Sequence, residues 1–112
     1  MILKGAWVTK DQPEYDLGEI QYLIEERQRG ITDTVRATAH EIGFSETEIY
    51  NEILALDKSN FLHSVEGERD HKYQDVYIKT IRNISVYIKF KKIGKYGDKV
   101  LVLSFKKDTS AR

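Results

Sequence analysis

A chain of 112 residues has the usual length of a single domain, and because it has no cysteine it can form neither disulfides nor cysteine-ligated metal sites. The formal net charge is zero, but residues 1–57 carry 5 basic and 12 acidic residues, whereas residues 58–112 carry 13 basic and 6 acidic ones. A basic half of this kind is typical of proteins that bind nucleic acid, although the two halves could simply attract each other in the fold. No strictly apolar run exceeds four residues, and the first ten residues have no signal-peptide cleavage site. We therefore expect a cytoplasmic protein that has no contact with a membrane.

The first 57 residues have helical periodicity. Apolar residues at positions 17, 20, 23 and 24 form one stripe, which is expected to end at Gly30. Positions 35, 39 and 42 form a second stripe, which ends at Gly43. Ser45 and Glu48 make a capping box at the start of a third helix, and Phe44 precedes it as a hydrophobic staple. The amino-terminal half is therefore predicted to consist mainly of helices.

Beyond residue 60 the apolar period changes to two, as in strands. Residues 73–81, 84–92 and 99–106 are rich in Val, Ile, Tyr and Phe, with a tight turn at 82–83 and a longer loop at 93–98. The third of these strands is apolar on both faces, which predicts a position inside the sheet. Within the second strand, alternation separates two sets of side chains. Val86, Ile88 and Phe90 are expected to face one way, and Tyr87, Lys89 and Lys91 the other.

Helices followed by an antiparallel meander predict an α+β domain of two layers, in which the helices pack on one antiparallel sheet. The whole chain, residues 1–112, is expected to form this single domain. Residues 1–16 are an amino-terminal extension, in which residues 2–9 are predicted to add an edge strand.

The motifs do not favour several other activities. The chain has no glycine-rich phosphate loop and no nucleophile elbow, and its three histidines lack the spacing of a helical metal pair, so we expect no cofactor and no metal. Residues 32–56 have the outline of a helix-turn-helix, but its second helix carries Glu46, Glu48 and Glu52, which DNA phosphates would repel. Packing of two helices is the better interpretation, and no direct contact with DNA is expected except through a partner protein.

The basic half is rich in side chains of the kinds that act on RNA. RNA carries its own nucleophile, the 2′-hydroxyl, so a ribonuclease has to supply only a base, an acid and cations around the phosphate. Histidine, tyrosine and lysine can fill all of these roles. The residues in question are His63, His71, Lys72, Gln74, Tyr77, Tyr87, Lys89, Lys91 and Lys106. Each could instead be structural, because tyrosine on a strand is most often packed and lysine on an open sheet face is most often solvated.

Three short segments follow one another in this half: Gln74-Asp75-Val76-Tyr77, Val86-Tyr87-Ile88-Lys89 and Ser104-Phe105-Lys106. Together with the order of the helices before them, they resemble the MqsR (motility quorum-sensing regulator) toxin family over about residues 17–107. The resemblance implies a RelE-like fold and a metal-independent endoribonuclease that cleaves mRNA. It also implies a cognate antitoxin protein as partner.

The functional positions of that family carry over onto Gln74, Tyr87 and Lys106, while His63 stands where the family has a lysine. Lys106 is expected to stabilise the phosphorane or its leaving group, Tyr87 to transfer a proton, and Gln74, which cannot titrate, to orient the substrate. His63 could replace the lysine as a cation, act as a general base, or merely pack. The residues expected to bind RNA are Lys72, Lys89, Lys91 and His71.

The sequence thus predicts the toxin of a type II toxin–antitoxin system. It is expected to cut mRNA by attack of the 2′-hydroxyl, leaving 2′,3′-cyclic phosphate and 5′-hydroxyl ends. The alternative is a non-catalytic RNA- or protein-binding module on the same scaffold, which the histidine at position 63 leaves open.

Overall fold

The computed structural model describes residues 8–110 of the chain. Within them, three helices pack on one six-stranded sheet whose strand order is β1-β3-β4-β5-β6-β2. The helices are α1 (Leu17–Glu25), α2 (Asp33–Glu41) and α3 (Glu46–Leu54). The strands are β1 (Thr9–Lys10), β2 (Arg29–Ile31), β3 (Phe61–Glu66), β4 (Tyr73–Ile81), β5 (Ile84–Ile93) and β6 (Lys99–Lys107). All neighbouring strands are antiparallel except β6 and β2, so the predicted α+β class is confirmed.

Each helix begins at a side chain that caps it. Asp16, Thr32 and Ser45 accept hydrogen bonds from the backbone N–H three residues later, at 2.9, 3.1 and 3.2 Å. At α3 the predicted capping box is present, because the Glu48 carboxylate also accepts from the Ser45 N–H at 2.9 Å. This bond, together with the Arg82 guanidinium, lowers the pKa of Glu48 to about 2.

The sequence pattern predicted that the first helix ends at Gly30, and this prediction is wrong. α1 ends at Glu25, Arg27 adopts a left-handed φ of 62°, and Gly30 lies within β2. The sequence pattern does not predict β2, because a strand of three residues has too little periodicity and depends on its parallel partner β6. Gly43, by contrast, follows the end of α2 as predicted, and its φ of 90° is one that glycine adopts easily.

The edge strand predicted at residues 2–9 is described only at its end. Thr9–Lys10 form β1, which pairs antiparallel with β3, and residues 2–7 lie outside the described residues. β3 is a further strand that the sequence pattern does not predict. The other three strands begin at the predicted residues and end within one residue of the predicted positions. β6 lies between β5 and β2, as its apolar sequence indicates.

The core lies between the helices and one face of the sheet. Val86, Ile88 and Phe90 have no exposed surface there, which confirms the predicted alternation in β5. Tyr77, one of the side chains grouped above with those that act on RNA, belongs to this core instead. Its ring stacks on Phe90 at 5.4 Å between centroids, so it cannot contact a substrate on the other face.

Part of the charge asymmetry is neutralised inside the molecule. Lys79, Arg82 and Lys92 of the basic half form ion pairs with Glu52, Glu48 and Glu19 of the helices. Two of the three glutamates of α3 therefore pair with β4 and with the turn after it, which supports helix packing rather than a DNA-reading helix. The interpretation that the halves attract each other is correct for these pairs.

Candidate functional site

The helices leave one face of the sheet uncovered. Strand alternation places Tyr87 and Lys89 of β5 on this side, opposite the core residues Val86 and Ile88. We call this side the open face. The pairing register places on it His63, Val65, Gln74, Val76, Ile78, Tyr87, Lys89, Lys91, Ser104 and Lys106.

Val76 lies on the open face, beneath neighbouring side chains that line a cleft. It has no exposed surface, although the helices lie on the other side of the sheet. Its cross-strand partners are His63 on β3 and Lys89 on β5, and Gln74 is its neighbour along β4. The side chains around Val76 must therefore be what covers it. His63, Gln74, Tyr87 and Lys89 line one cleft of about 530 Å³. The other lining residues are Thr9, Val65, Glu66, Gly67 and Glu68.

Lys106 lies beside this cleft, next to Tyr87. The two residues are directly paired across β5 and β6, and the Lys106 Nζ is 5.4 Å from the centroid of the Tyr87 ring. This is a distance at which an ammonium group interacts with an aromatic ring. Tyr87 thus links Lys106 to His63 and Gln74, the two other residues that were predicted to be catalytic.

Lys89 makes the cleft electrostatically unusual. Burial, and to a smaller extent the charge of Lys106, lowers the pKa of Lys89 below the ordinary lysine value of 10.5. Glu66 and Glu68 line the same cleft, so it holds acidic as well as basic side chains. Perturbed groups such as Lys89 are enriched in functional sites, so the cleft is a candidate functional site.

Two β-bulges decide which side chains reach the open face. In β3, Phe61 pairs with Tyr77 in the core, whereas His63 pairs with Val76 on the open face, because the register shifts between them. In β6 the register shifts between Ser104, which pairs with Lys89, and Val102, which pairs with Phe90. Without that shift Lys106 would have the same parity as the buried Val102, and would point towards the helices. Bulges often re-aim side chains in this way beside functional sites.

Asp75 has a structural role that the sequence analysis did not identify. It alternates with Gln74 and Val76, so it faces the helical side, where it has no exposed surface. Its carboxylate accepts hydrogen bonds from the N–H groups of Glu14 and Tyr15 at 2.9 and 3.0 Å and from the Ser64 hydroxyl at 2.7 Å. An aspartate within an apolar strand is the signal for such an anchor, because a buried carboxylate requires hydrogen-bond partners.

The loop between β3 and β4 shapes one end of the cleft. A Cβ atom added to Gly67 would lie 3.0 Å from the Gln74 Nε2, so the absence of a side chain at Gly67 leaves room for the Gln74 amide. The same loop carries Asp70, whose carboxylate pairs with the Lys91 Nζ at 2.9 Å. Lys91 is therefore on the open face as predicted, but part of its charge is already neutralised.

His71 and Lys72 do not join the cleft. They line a separate cavity of about 460 Å³, together with Tyr15, Lys92 and Lys95. The His71 Nδ1 is 3.3 Å from the Glu66 carboxylate, and most of its side chain is exposed. Of the four residues predicted to bind RNA, only Lys89 lines the cleft, and Lys91 lies on the same face of β5 outside the lining.

The described residues contain no cluster of three or more histidine, cysteine, aspartate or glutamate side chains that could hold a metal ion. Among the helices of residues 8–110, none is both long and apolar enough to cross a membrane.

Comparison with known proteins agrees with the motifs. Residues 12–107 match the sequence model of a family described as motility quorum-sensing regulator, toxin of MqsA. A search of curated proteins found no match. Because the matched region includes nearly all of the described fold and all of the candidate site, the chain belongs to the MqsR toxin family and is the toxin of a toxin–antitoxin pair.

Proposed function

We propose that the chain is an endoribonuclease that cleaves mRNA on the open face of its sheet without a metal ion. The observation that carries the proposal is the grouping of His63, Gln74 and Tyr87 in one cleft with Lys106 directly beside it. These groups provide proton transfer, substrate orientation and positive charge, which are the requirements for cleavage by the RNA's own hydroxyl.

In the proposed reaction the 2′-oxygen attacks the adjacent phosphorus as the bond from phosphorus to the 5′-oxygen breaks. The proton of the 2′-hydroxyl passes to a base, and the departing 5′-oxygen takes up a proton, so the products are a 2′,3′-cyclic phosphate and a 5′-hydroxyl. Tyr87 transfers one of these protons, and Lys106 stabilises the charge that develops on the phosphate oxygens. Gln74 cannot titrate, and its amide, held against Gly67, orients the nucleotide.

Lys89 binds the phosphate in this proposal. A phosphate between Lys89 and Lys106 relieves the repulsion that the two ammonium groups exert on each other in the free protein. Lys91, on the same face of β5, assists. His71 and Lys72 contact only a strand that extends beyond the cleft, because they line the separate cavity.

Purified wild-type protein incubated with a long RNA in EDTA tests the proposal. We expect discrete fragments with 2′,3′-cyclic phosphate ends in the wild type, and no fragments with Tyr87→Phe or Lys106→Ala. Cleavage that requires an added divalent ion contradicts the metal-independent mechanism. Binding that leaves the RNA intact favours the non-catalytic module.

The family assignment also predicts the behaviour of the chain in cells. Expression of the wild type alone should arrest growth, and co-expression with the protein encoded by a neighbouring gene should restore it and yield a soluble complex. Tyr87→Phe should not arrest growth at the same expression level. Normal growth with folded, wild-type toxin contradicts the proposal.

A further inference from the structure

A line of side chains on the open face leads from the cleft to the end of the β5–β6 hairpin. Beyond Lys89, the open-face residues of β5 are Lys91 and Ile93. Their partners across the strand pair are Leu101 and Lys99 of β6. At the usual rise of a strand, this line runs about 13 Å from Lys89 to Ile93. We call the four residues beyond Lys89 the hairpin track.

The hairpin ends in a tight turn that presents an aromatic ring. The Gly97 N–H donates to the Gly94 carbonyl at 3.1 Å, so Lys95 and Tyr96 occupy the two central positions of the turn. Both glycines have left-handed φ values, 94° at Gly94 and 62° at Gly97, which suit glycine. Tyr96 is 79% exposed, more than any other large hydrophobic side chain of residues 8–110. The turn is therefore formed in the free protein, and it holds the ring in solvent.

Unpaired positive charge lies at this end of the hairpin. Neither Lys95 nor Lys99 forms an ion pair with another of the described residues. The Lys95 Nζ lies 5.6 Å from the centroid of the Tyr96 ring. Asp98 is the acidic residue of the loop, and it lies against Gly94, where an added Cβ atom would be 2.6 Å from the Asp98 Oδ1. The hairpin end thus combines two ammonium groups with an exposed ring.

This combination fits a single strand of RNA. Proteins that bind single strands use cations that follow the phosphates and aromatic rings on which unpaired bases stack. Lys95 and Lys99 are such cations, and Tyr96 is such a ring. Ile93 and Leu101 alternate with the lysines of the track and are half-buried, so they offer apolar surface to sugars and bases. A duplex is a poorer fit, because its bases are stacked on each other and cannot stack on Tyr96.

We propose that single-stranded RNA leaves the cleft along the hairpin track and that Tyr96 stacks on one of its bases. The inference rests on the proposed function, which places the reacting phosphate between Lys89 and Lys106. Lys99 and Lys95 bind phosphates of the same strand beyond the scissile one. These lysines and Tyr96 form a flanking subsite, and they take no part in proton transfer.

RNAs of different lengths test the flanking subsite. A short RNA carries the cleavage site mapped in the long RNA, and two longer RNAs extend it by several nucleotides on one side or the other. For the wild type we expect one of the extensions to lower KM about tenfold, which is within the range for one base stacked on an aromatic ring. Tyr96→Ala should lose this gain, whereas Tyr96→Phe should keep it, because stacking needs the ring and not the hydroxyl. Tyr22→Ala, at the exposed tyrosine of α1, is the matched control and should keep the gain.

Abasic nucleotides connect the gain to stacking. The favoured extension is made with one abasic nucleotide at each position in turn. At one position the wild type should lose the tenfold gain, and Tyr96→Ala should show no further loss there. If every single abasic RNA keeps the gain in the wild type, Tyr96 does not stack on a base and the proposal is wrong.

Two further results would overturn the flanking subsite and leave the proposed function intact. One is the absence of a gain from either extension, or an equal gain in the wild type and in Tyr96→Ala. The other is a Tyr96→Ala variant that weakens only the complex with the antitoxin, because the turn then binds protein instead of RNA. If the wild type binds these RNAs without cutting them, the comparison is made on Kd, and the same dependence on Tyr96 is expected. If it neither binds nor cuts RNA, both the proposed function and the flanking subsite are wrong.

Discussion

The two faces of the sheet are built from the same strands but place different demands on their side chains. In β5, Ile88 and Phe90 are fully buried under the helices, whereas Lys89 between them is half-buried on the open face and has a lowered pKa. The helical face has neutralised its charges, as in the pair of Lys92 with Glu19. On the open face, burial and the neighbouring charge of Lys106 lower the pKa of Lys89, and Glu66 and Glu68 line the same cleft. The helical face thus stabilises the fold, while the open face holds a lysine whose protonated form is disfavoured.

Removing a core ring should have the largest effect. Phe90→Ala deletes a fully buried side chain that stacks on Tyr77, and we expect a loss of about 3–5 kcal/mol in the free energy of unfolding. Lys91→Ala, one residue later on the open face, is the matched control and should cost clearly less, because it removes one ion pair with the partly exposed Asp70 and leaves the core ring in place. Urea unfolding measures both. Equal losses would show that the open face contributes as much stability as the core.

For Tyr87→Phe we expect the opposite of the core substitution, with a large effect on catalysis and a small one on stability. The variant removes only a hydroxyl from the open face, so we expect a fall of about 100-fold or more in the cleavage rate with the melting temperature changed little. Tyr22→Phe is the control for the same chemical change, because Tyr22 is 62% exposed on α1, away from the cleft. Single-turnover cleavage compares them. A Tyr87→Phe variant that cleaves at the wild-type rate excludes Tyr87 as the group that transfers the proton.

His63 should determine how activity depends on pH, with an expected effect of about tenfold. If its charge stabilises the phosphate, activity falls as pH rises through the neutral range, and if it is a base, activity falls on the acid side. His63→Lys keeps a fixed positive charge, so it should stay active and lose the alkaline fall in the first case, and be inactive in the second. His40→Ala on the exposed surface of α2 is the control. Wild-type activity and an unchanged pH profile in His63→Ala show that His63 only packs over Val76.

Replacing Lys89 should stabilise the protein. Because its pKa is lowered in the fold, the protonated side chain destabilises the folded state at neutral pH, and this penalty fades as pH rises towards 10.5. Lys89→Met should therefore raise the free energy of unfolding slightly at pH 7, by less than about 1 kcal/mol because solvent screens the partly exposed ammonium group, with a smaller gain at alkaline pH. Lys91→Met, which breaks the pair with Asp70, should give no gain. A destabilised Lys89→Met would mean that the open face carries no such cost.

The smallest expected effect is on the salt dependence of RNA binding. On single-stranded RNA each phosphate contact contributes about −0.7 to the slope of log Kobs against log salt concentration. Lys89→Ala should flatten the slope by about this amount, and Lys91→Ala by less, because Asp70 already pairs with Lys91. Filter binding over a salt series measures both slopes. An affinity that does not change with salt removes the electrostatic argument for the open face.

Much of the fold follows from local patterns. The capping box at Ser45, the turn at residues 82–83 and the alternation of β5 are encoded by neighbours along the chain, and all are confirmed. β2 and the position of Gly30 were not predicted, because three residues gain strand structure only from the β6 strand beside them. The exclusion of His71 and Lys72 from the cleft likewise depends on the path of the loop after β3.

The sequence by itself determined the fold class, three of the strands, the family and the identities of the candidate residues. Tertiary structure decided which of those residues meet. Alternation alone would send His63 to the side of Phe61 and Lys106 to the side of Val102, and only the bulges, which require a partner strand on which to shift, bring both to the open face beside Tyr87. A cross-strand register is a relation between distant segments, so no local pattern contains it.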